Sequence, residues 1–116
     1  MTTNALIISH NEARRALVIA KRTHASTPVD FIVAGAKAAM VAELKKRMQT
    51  GIVEFYFIKS STGELRRALG TTMGRVASLH TNGNGISRDS VNTVAFWDIE
   101  AADWRSFRFE ALVKVC

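Results

Sequence analysis

The chain has 116 residues, 47% of them hydrophobic and 22% charged, so it is long enough to bury the core of one domain without disulfides. Its net charge is +6 and its pI about 10.1, which makes polyanions the natural class of partner. The one cysteine, Cys116, excludes an internal disulfide framework and a cysteine-based zinc site, and it fits a reducing compartment.

A first helix is predicted from about His10 to Thr23. Ser9 and Glu12 have the spacing of a capping box, and a thin apolar stripe follows them. The apolar run before this helix is too short for a signal peptide or a membrane span, so a cytoplasmic protein without membrane association is expected. The basic residues of the helix would ordinarily form its solvated face. They are Arg14, Arg15, Lys21 and Arg22.

A second helix is predicted from Pro28 to about Gln49, where Thr27 caps its first turn and Gly51 ends it. This helix is apolar on opposite sides, which indicates burial on both. Either the first helix and the strands enclose it, or a second subunit covers one face. The residues predicted to form such an oligomer interface are Phe31, Ala34, Gly35, Ala38, Val41 and Ala42.

After Gly51 the apolar pattern changes from helical to extended. The run from Ile52 to Lys59 is rich in aromatic and β-branched residues and predicts a hairpin with Glu64 to Leu69 across a Ser-Ser-Thr-Gly loop. A Gly/Asn/Ser loop is predicted over Thr81 to Ser87. Further strands are predicted over residues 93–98, 104–109 and 111–115. The expected fold class is therefore α+β in one domain, residues 1–116, with a helical segment over 1–50 and a small antiparallel SH3-like barrel of four to five strands over 51–116.

Several blocks in the second half resemble a known family. They are Glu54 to Lys59, Leu65 to Thr72, Val94 to Asp98 and Trp104 to Phe107. Their order and spacing are similar to the WYL-like, Sm-like SH3 β-barrel proteins of phages and mobile elements, across residues 51–115. The resemblance implies the barrel. The tail from Arg105 to Leu112 also resembles the closing strand of WYL domains in bacterial regulators, where basic residues are thought to sense nucleic-acid-like ligands. The Trp-Tyr-Leu tripeptide itself is missing, and no winged-helix domain accompanies the barrel.

Catalytic, metal and cofactor sites are not expected. The three histidines, His10, His24 and His80, have no paired spacing, and the Gly83-Asn84-Gly85 segment has no Gly-Lys-Ser/Thr sequence after it. The acidic residues Asp98, Glu100 and Asp103 surround one predicted turn, where solvated or turn-forming carboxylates are common. The protein is therefore predicted to be non-enzymatic, with no metal and no cofactor.

The candidate ligand-binding residues are basic or aromatic. Alternation in the last long strand should send Arg105, Phe107 and Phe109 to one side, with the phenylalanines in the core, and Trp104 and Arg108 to the other. An aromatic ring beside a guanidinium can stack on a base and contact a phosphate. The alternative is that the N-terminal helices cover Trp104. The full candidate set is Arg66, Arg67, Trp104, Arg105, Arg108, Lys45, Lys46 and Arg47.

The last three of these candidates have a second interpretation. Cations in the last turn of a helix also complement its dipole, so Lys45, Lys46 and Arg47 could be purely structural. The leading functional hypothesis is an accessory protein of phage or mobile-element type that binds nucleic acid or a nucleotide-like anion through a basic surface. The alternative hypothesis is a protein-interaction or inhibitor module, such as a homodimer that blocks or tethers a host protein.

Overall fold

The computed structural model describes residues 10–73 and 92–116, apart from the side chain of His10. Two helices precede five strands, as predicted, and a short 3-10 turn separates the last two strands. The elements are α1 (His10–Arg22), α2 (Pro28–Met48), β1 (Val53–Ile58), β2 (Leu65–Thr71), β3 (Thr93–Asp98), β4 (Asp103–Arg108), the 3-10 turn (Phe109–Ala111) and β5 (Leu112–Val115). The predicted cap at Ser9, the loop over residues 81–87 and His80 lie outside the described residues.

The start of α2 is fixed by a capping box. The backbone N–H of Asp30 donates to Oγ1 of Thr27 at 3.2 Å, and the backbone N–H of Thr27 donates to Oδ2 of Asp30 at 3.1 Å. A third backbone N–H, from Ser26, also donates to this carboxylate. These hydrogen bonds, that of Ser26 first, hold the pKa of Asp30 below its ordinary value because they favour the charged form. The predicted cap and Pro28 start are confirmed.

The five strands form one antiparallel sheet in the order β4-β3-β2-β1-β5. In β1 and β3 every second residue is buried, starting with Val53 and Val94. The pairing of Phe57 with Arg66 and of Phe96 with Arg105 extends this buried side to β2 and β4. We call this side of the sheet the inner face and the opposite side the outer face.

Aromatic rings fill the inner face. Phe55 and Phe96 meet edge to face at 5.0 Å between centroids, while Phe57 and Phe107 stack at 5.1 Å. Gly70 lies beneath these rings, where an added Cβ would come within 2.7 Å of Phe96 and 2.9 Å of Phe55. Only a residue without a side chain fits there, so the rings pack directly against the backbone of β2.

One side of α2 closes this core together with α1. Its buried residues are Ala34, Ala38, Val41, Leu44 and Met48. Three of these residues, Ala34, Ala38 and Val41, were predicted to form an oligomer interface, and for them the prediction is wrong. Their side chains are within 1% of complete burial inside a single chain, so no second subunit reaches them. Gly35 and Ala42 are partly exposed, and Phe31 is 51% exposed.

The exposed side of α2 is also apolar over its first turns. Val29, Ile32 and Val33 are between 51% and 70% exposed, and the exposed Ala36 continues the three- and four-residue spacing. Farther along α2 the same three- and four-residue spacing leads to Leu44 and Met48, which are buried. We call Val29, Ile32, Val33 and Ala36 the apolar stripe of α2. No described helix is long and apolar enough to cross a membrane.

The arginines of α1 do not form a solvated face, contrary to expectation. Arg15 is 7% exposed, and its guanidinium lies 5.8 Å from the ring centroid of the fully buried Phe109. Arg14 donates to the side-chain oxygen of Asn92 at 2.7 Å, and Arg22 forms an ion pair with Glu110 at 3.1 Å. These cations anchor α1 to the strands and leave the candidate site to other residues.

Candidate functional site: a basic groove at the end of the barrel

The β3–β4 turn is organised by Asp98, the last residue of β3. Its Oδ1 accepts the backbone N–H groups of Glu100 and Ala101, each at 3.1 Å. Its main-chain carbonyl accepts the N–H of Ala102, which has a positive φ of 52°. This Asx-type turn accounts for the aspartate at position 98. It uses only Oδ1 and leaves Oδ2 of Asp98 available for other contacts.

That second oxygen contacts two arginines from different strands. Nε of Arg105 in β4 lies 3.3 Å from Oδ2 of Asp98, and Nη2 of Arg66 in β2 lies 3.8 Å from the same atom. The Asp98 side chain is 3% exposed, whereas the arginine side chains are 40% and 30% exposed. The buried carboxylate therefore joins two guanidiniums that remain accessible to solvent.

Both arginines border a groove with a volume of about 360 Å³. The stacked rings of Phe57 and Phe107 line it, together with residues of the β1–β2 loop and of β4. Among the residues that the structure describes, four cationic side chains line it and no carboxylate does. The polar and aromatic lining residues are Lys59, Ser60, Ser61, Arg66, Trp104, Arg105, Ser106 and Arg108. We call this feature the basic groove.

Trp104 and Arg108 border the same groove from the outer face. Their cross-strand partners are Trp97 and Thr93, whereas Arg105 and Phe107 pair with the inner-face residues Phe96 and Val94. The predicted alternation is therefore confirmed for β4, except that Phe109 lies beyond the strand in the 3-10 turn. The half-buried Trp104 ring meets Trp97 edge to face at 5.8 Å. β4 is an edge strand of the described sheet, so residues on both of its faces reach the groove.

Arg67 does not join this site, although the sequence grouped it with Arg66. It lies on the outer face opposite Tyr56, and its guanidinium is paired with the carboxylates of Glu54 and Glu100, the latter at 3.1 Å. The hydrogen bond from Arg67 lowers the pKa of Glu54, and the same bond raises the pKa of Arg67. The charge of Arg67 is thus paired with two carboxylates on the outer face.

The cations at the end of α2 also lie away from the groove. Met48 accepts hydrogen bonds from Thr71 and Thr72, which places the end of α2 beside the last residues of β2. Arg66 and the groove are at the other end of that strand, roughly 17 Å away at 3.3 Å per residue. Arg47 donates to the main-chain carbonyl of Cys116 at 2.8 Å. Lys45, Lys46 and Arg47 are thus not part of the same site.

Three groove features escaped sequence reasoning: Lys59, the serines of the β1–β2 loop and the bridging role of Asp98. The alternation in β3 carried a signal for Asp98, because it shares the phase of Val94 and Phe96 and therefore faces inward. A carboxylate with that phase needs a buried partner. The partners are distant in sequence, so composition alone did not identify them. Among residues 10–73 and 92–116, no group of three metal-ligating side chains comes together.

Comparison with known proteins gives one match. The family model described as WYL_2, Sm-like SH3 beta-barrel fold, matches residues 41–113, which is more than half of the chain and covers every strand up to the first half of β5. No curated protein and no solved structure matches the chain significantly. The match spans the basic groove and leaves out α1 and the first part of α2. The chain therefore belongs to the WYL_2 family and has its Sm-like SH3 β-barrel fold.

Proposed function

We propose that this protein is a non-enzymatic accessory protein that binds nucleic acid or a nucleotide-like anion in the basic groove. The observation that carries the proposal is the convergence of Lys59, Arg66, Arg105 and Arg108 on one concave surface, which no carboxylate of the described part of the chain lines. A role in a phage or mobile element, suggested by the resemblance of the barrel, is part of the same proposal. The site, rather than the fold, supports the binding role, because one barrel fold serves many functions.

The chemistry of the lining suits a phosphorylated ligand. Guanidinium groups donate paired hydrogen bonds to phosphate oxygens, and serine hydroxyls add neutral donors. Lys59 and Arg108 make no ion pair within the described part of the chain, so their charges are available to a ligand. The Trp104 ring offers an aromatic surface at the rim, where a base can stack.

Binding is proposed rather than catalysis because of the contacts that Asp98, the carboxylate beside two of the groove arginines, already makes. Asp98 already accepts two backbone N–H groups and contacts two arginines, so both of its oxygens are occupied. A general base needs a free lone pair directed at the substrate. The groove therefore presents donors and positive charge, which stabilise a bound anion.

Salt-dependent binding tests this function. Fluorescence anisotropy with labelled single- and double-stranded DNA and RNA should show binding at low salt that weakens steeply as salt rises. For about four phosphate contacts the slope of log K against log salt should be roughly −3 to −4. If none of the four nucleic acids binds at low salt, the proposal of nucleic-acid binding is contradicted.

A second function, self-association, is favoured by the apolar stripe of α2. Solvent-facing apolar residues at helical spacing are typical of a surface that a partner covers. A two-fold pair of α2 helices would place each stripe against its copy. This proposal moves the predicted dimer contact from the buried Ala38 side of α2 to the Ile32 side.

Light scattering across a range of concentrations tests the second function. The unmodified protein should show a dimer mass that falls on dilution, and Ile32→Glu should give a monomer with unchanged helix content, because position 32 is exposed within one chain. Glu43→Gln, farther along the same helix, is the control and should leave the mass unchanged. A monomer mass at every concentration of the unmodified protein contradicts self-association.

A further inference from the structure

We propose that Asp98 is a positioning residue that holds Arg66 and Arg105 as a clamp for one phosphate group, so that the groove accepts a single phosphorylated nucleotide unit. This inference rests on the proposed function. Under this inference the ligand occupies one defined phosphate position, whereas a diffuse basic surface would offer many. It also assigns a role in binding to a carboxylate that would repel the ligand if it stood alone.

The clamp joins strands that are not neighbours in the sheet. Arg66 lies on β2 and Arg105 on β4, and β3 runs between them with Asp98 at its end. The turn hydrogen bonds to Oδ1 fix the carboxylate, and Oδ2 then fixes both guanidiniums. Each guanidinium has five N–H donors, so most donors of the pair remain free for a ligand.

The spacing of the pair suits one phosphate. Because both contacting nitrogens touch the same oxygen, at 3.3 Å and 3.8 Å, they are no more than about 7 Å apart. Charge-assisted N–H···O bonds measure about 2.8 Å, so the oxygens of one phosphate group can receive a bond from each arginine. The buried carboxylate offsets one of the two charges, which lets the guanidiniums remain close together before a ligand binds.

The size of the groove limits the rest of the ligand. A volume of about 360 Å³ lies near the lower end of the roughly 300–1,000 Å³ range of small-ligand sites. One nucleotide fits that range, with its phosphate between the arginines and its base toward Trp104. A terminal phosphate carries about −1.5 to −2 charges at pH 7, more than the single charge of a phosphodiester, and should be preferred among four cations.

Asp98→Asn is the decisive variant. Asparagine keeps an oxygen for the turn N–H groups of Glu100 and Ala101 but loses the charge that holds the arginines. Simple electrostatics predicts tighter binding, because the protein gains one net positive charge. The clamp predicts weaker binding, by about 10-fold or more. Asp103→Asn is the matched control, since Asp103 is exposed, directly follows the same turn as the first residue of β4 and forms no ion pair with either arginine.

The probes are one ten-nucleotide single strand with and without a 5′-phosphate, and a nucleoside 5′-monophosphate as competitor. The unmodified protein and Asp103→Asn should prefer the phosphorylated strand by about 10-fold, and Asp98→Asn should lose that preference. Competition by the monophosphate assigns the ligand to the nucleotide unit itself. Its failure to compete would show that a single nucleotide unit does not fill the groove, and would overturn the inference.

Besides failed competition, three results would overturn the inference: equal binding of the two strands by the unmodified protein, no loss in Asp98→Asn relative to Asp103→Asn, or an unchanged preference in Arg105→Lys. The lysine variant keeps the charge but lacks the fork of donors, so it also decides the question if Asp98→Asn fails to fold. Absence of binding by the unmodified protein to both strands and to the monophosphate would instead remove the proposed function. The two failures are therefore distinguishable.

Discussion

Arg66 and Arg67 are consecutive residues with opposite surroundings. The inner-face Arg66 contacts the buried Asp98 and lines the basic groove, while the outer-face Arg67 is paired with Glu54 and Glu100. Both are arginines at adjacent positions of β2, so only the alternation of side chains along the strand places them on opposite faces. An arginine of β2 therefore lines the basic groove or forms surface ion pairs according to the face on which it lies.

The two faces also differ in what they contribute to the fold. The inner face carries the aromatic core and part of the basic groove, since the stacked rings of Phe57 and Phe107 also line the groove. The outer face carries exposed ion pairs and the contact between Trp97 and Trp104. Substitutions on the inner face should thus affect stability most, and those at the rim of the groove should affect binding most.

The largest expected effect is on folding and compares Phe96 with its neighbour Trp97. Phe96→Ala removes a fully buried ring that contacts three other phenylalanines, and it should lower the free energy of unfolding by about 3–5 kcal/mol. Trp97→Ala, on the half-buried outer face, should cost clearly less. Denaturant unfolding of both variants measures the difference, and equal losses would show that the faces do not divide the core as described.

An intermediate effect is expected on binding from Trp104→Ala. Loss of the aromatic surface at the groove should weaken single-strand binding by about 1–3 kcal/mol per stacked base while the fold survives. Anisotropy titrations and thermal melts on the same samples test this prediction. A variant that melts much earlier yet binds normally per folded molecule would show that Trp104 is only a packing partner of Trp97.

The smallest effect concerns the outer-face ion pair and depends on pH. Because Arg67 lowers the pKa of Glu54 in the folded state, the pair stabilises the protein above the ordinary glutamate value of 4.5, and this contribution disappears as pH falls through the lowered pKa. Glu54→Gln should be slightly less stable at pH 7 and equally stable near pH 2. Chemical unfolding at both pH values measures this. A stability difference that persists at pH 2 would argue for a packing cause.

Much of the fold could be predicted from sequence because its signals are local. The capping box at Thr27 and the β-branched run of β1 act within a few residues, and both elements were placed to within a residue or two. The orientation of α2 was not predictable in the same way. Both of its sides are apolar, so periodicity could not decide that Ala38 faces the core and Ile32 faces solvent.

The candidate site was predicted in part. Arg66, Trp104, Arg105 and Arg108 do meet in one groove, but the sequence also grouped them with Arg67, which faces the other way. The bridge through Asp98 depends on how the sheet curls, because it joins residues up to 39 positions apart on three strands. Such a contact has no local signal beyond the inward phase of Asp98.

The most direct test of the difference between the two faces is the charge-matched pair Arg66→Ala and Arg67→Ala. Each removes one positive charge from adjacent positions, so a diffuse electrostatic surface predicts equal losses of nucleic-acid affinity. We predict that Arg66→Ala weakens binding and reduces the magnitude of the salt slope by about one, while Arg67→Ala leaves both nearly unchanged. Equal losses in the two variants, measured by anisotropy across a salt series, would contradict a binding site confined to the basic groove.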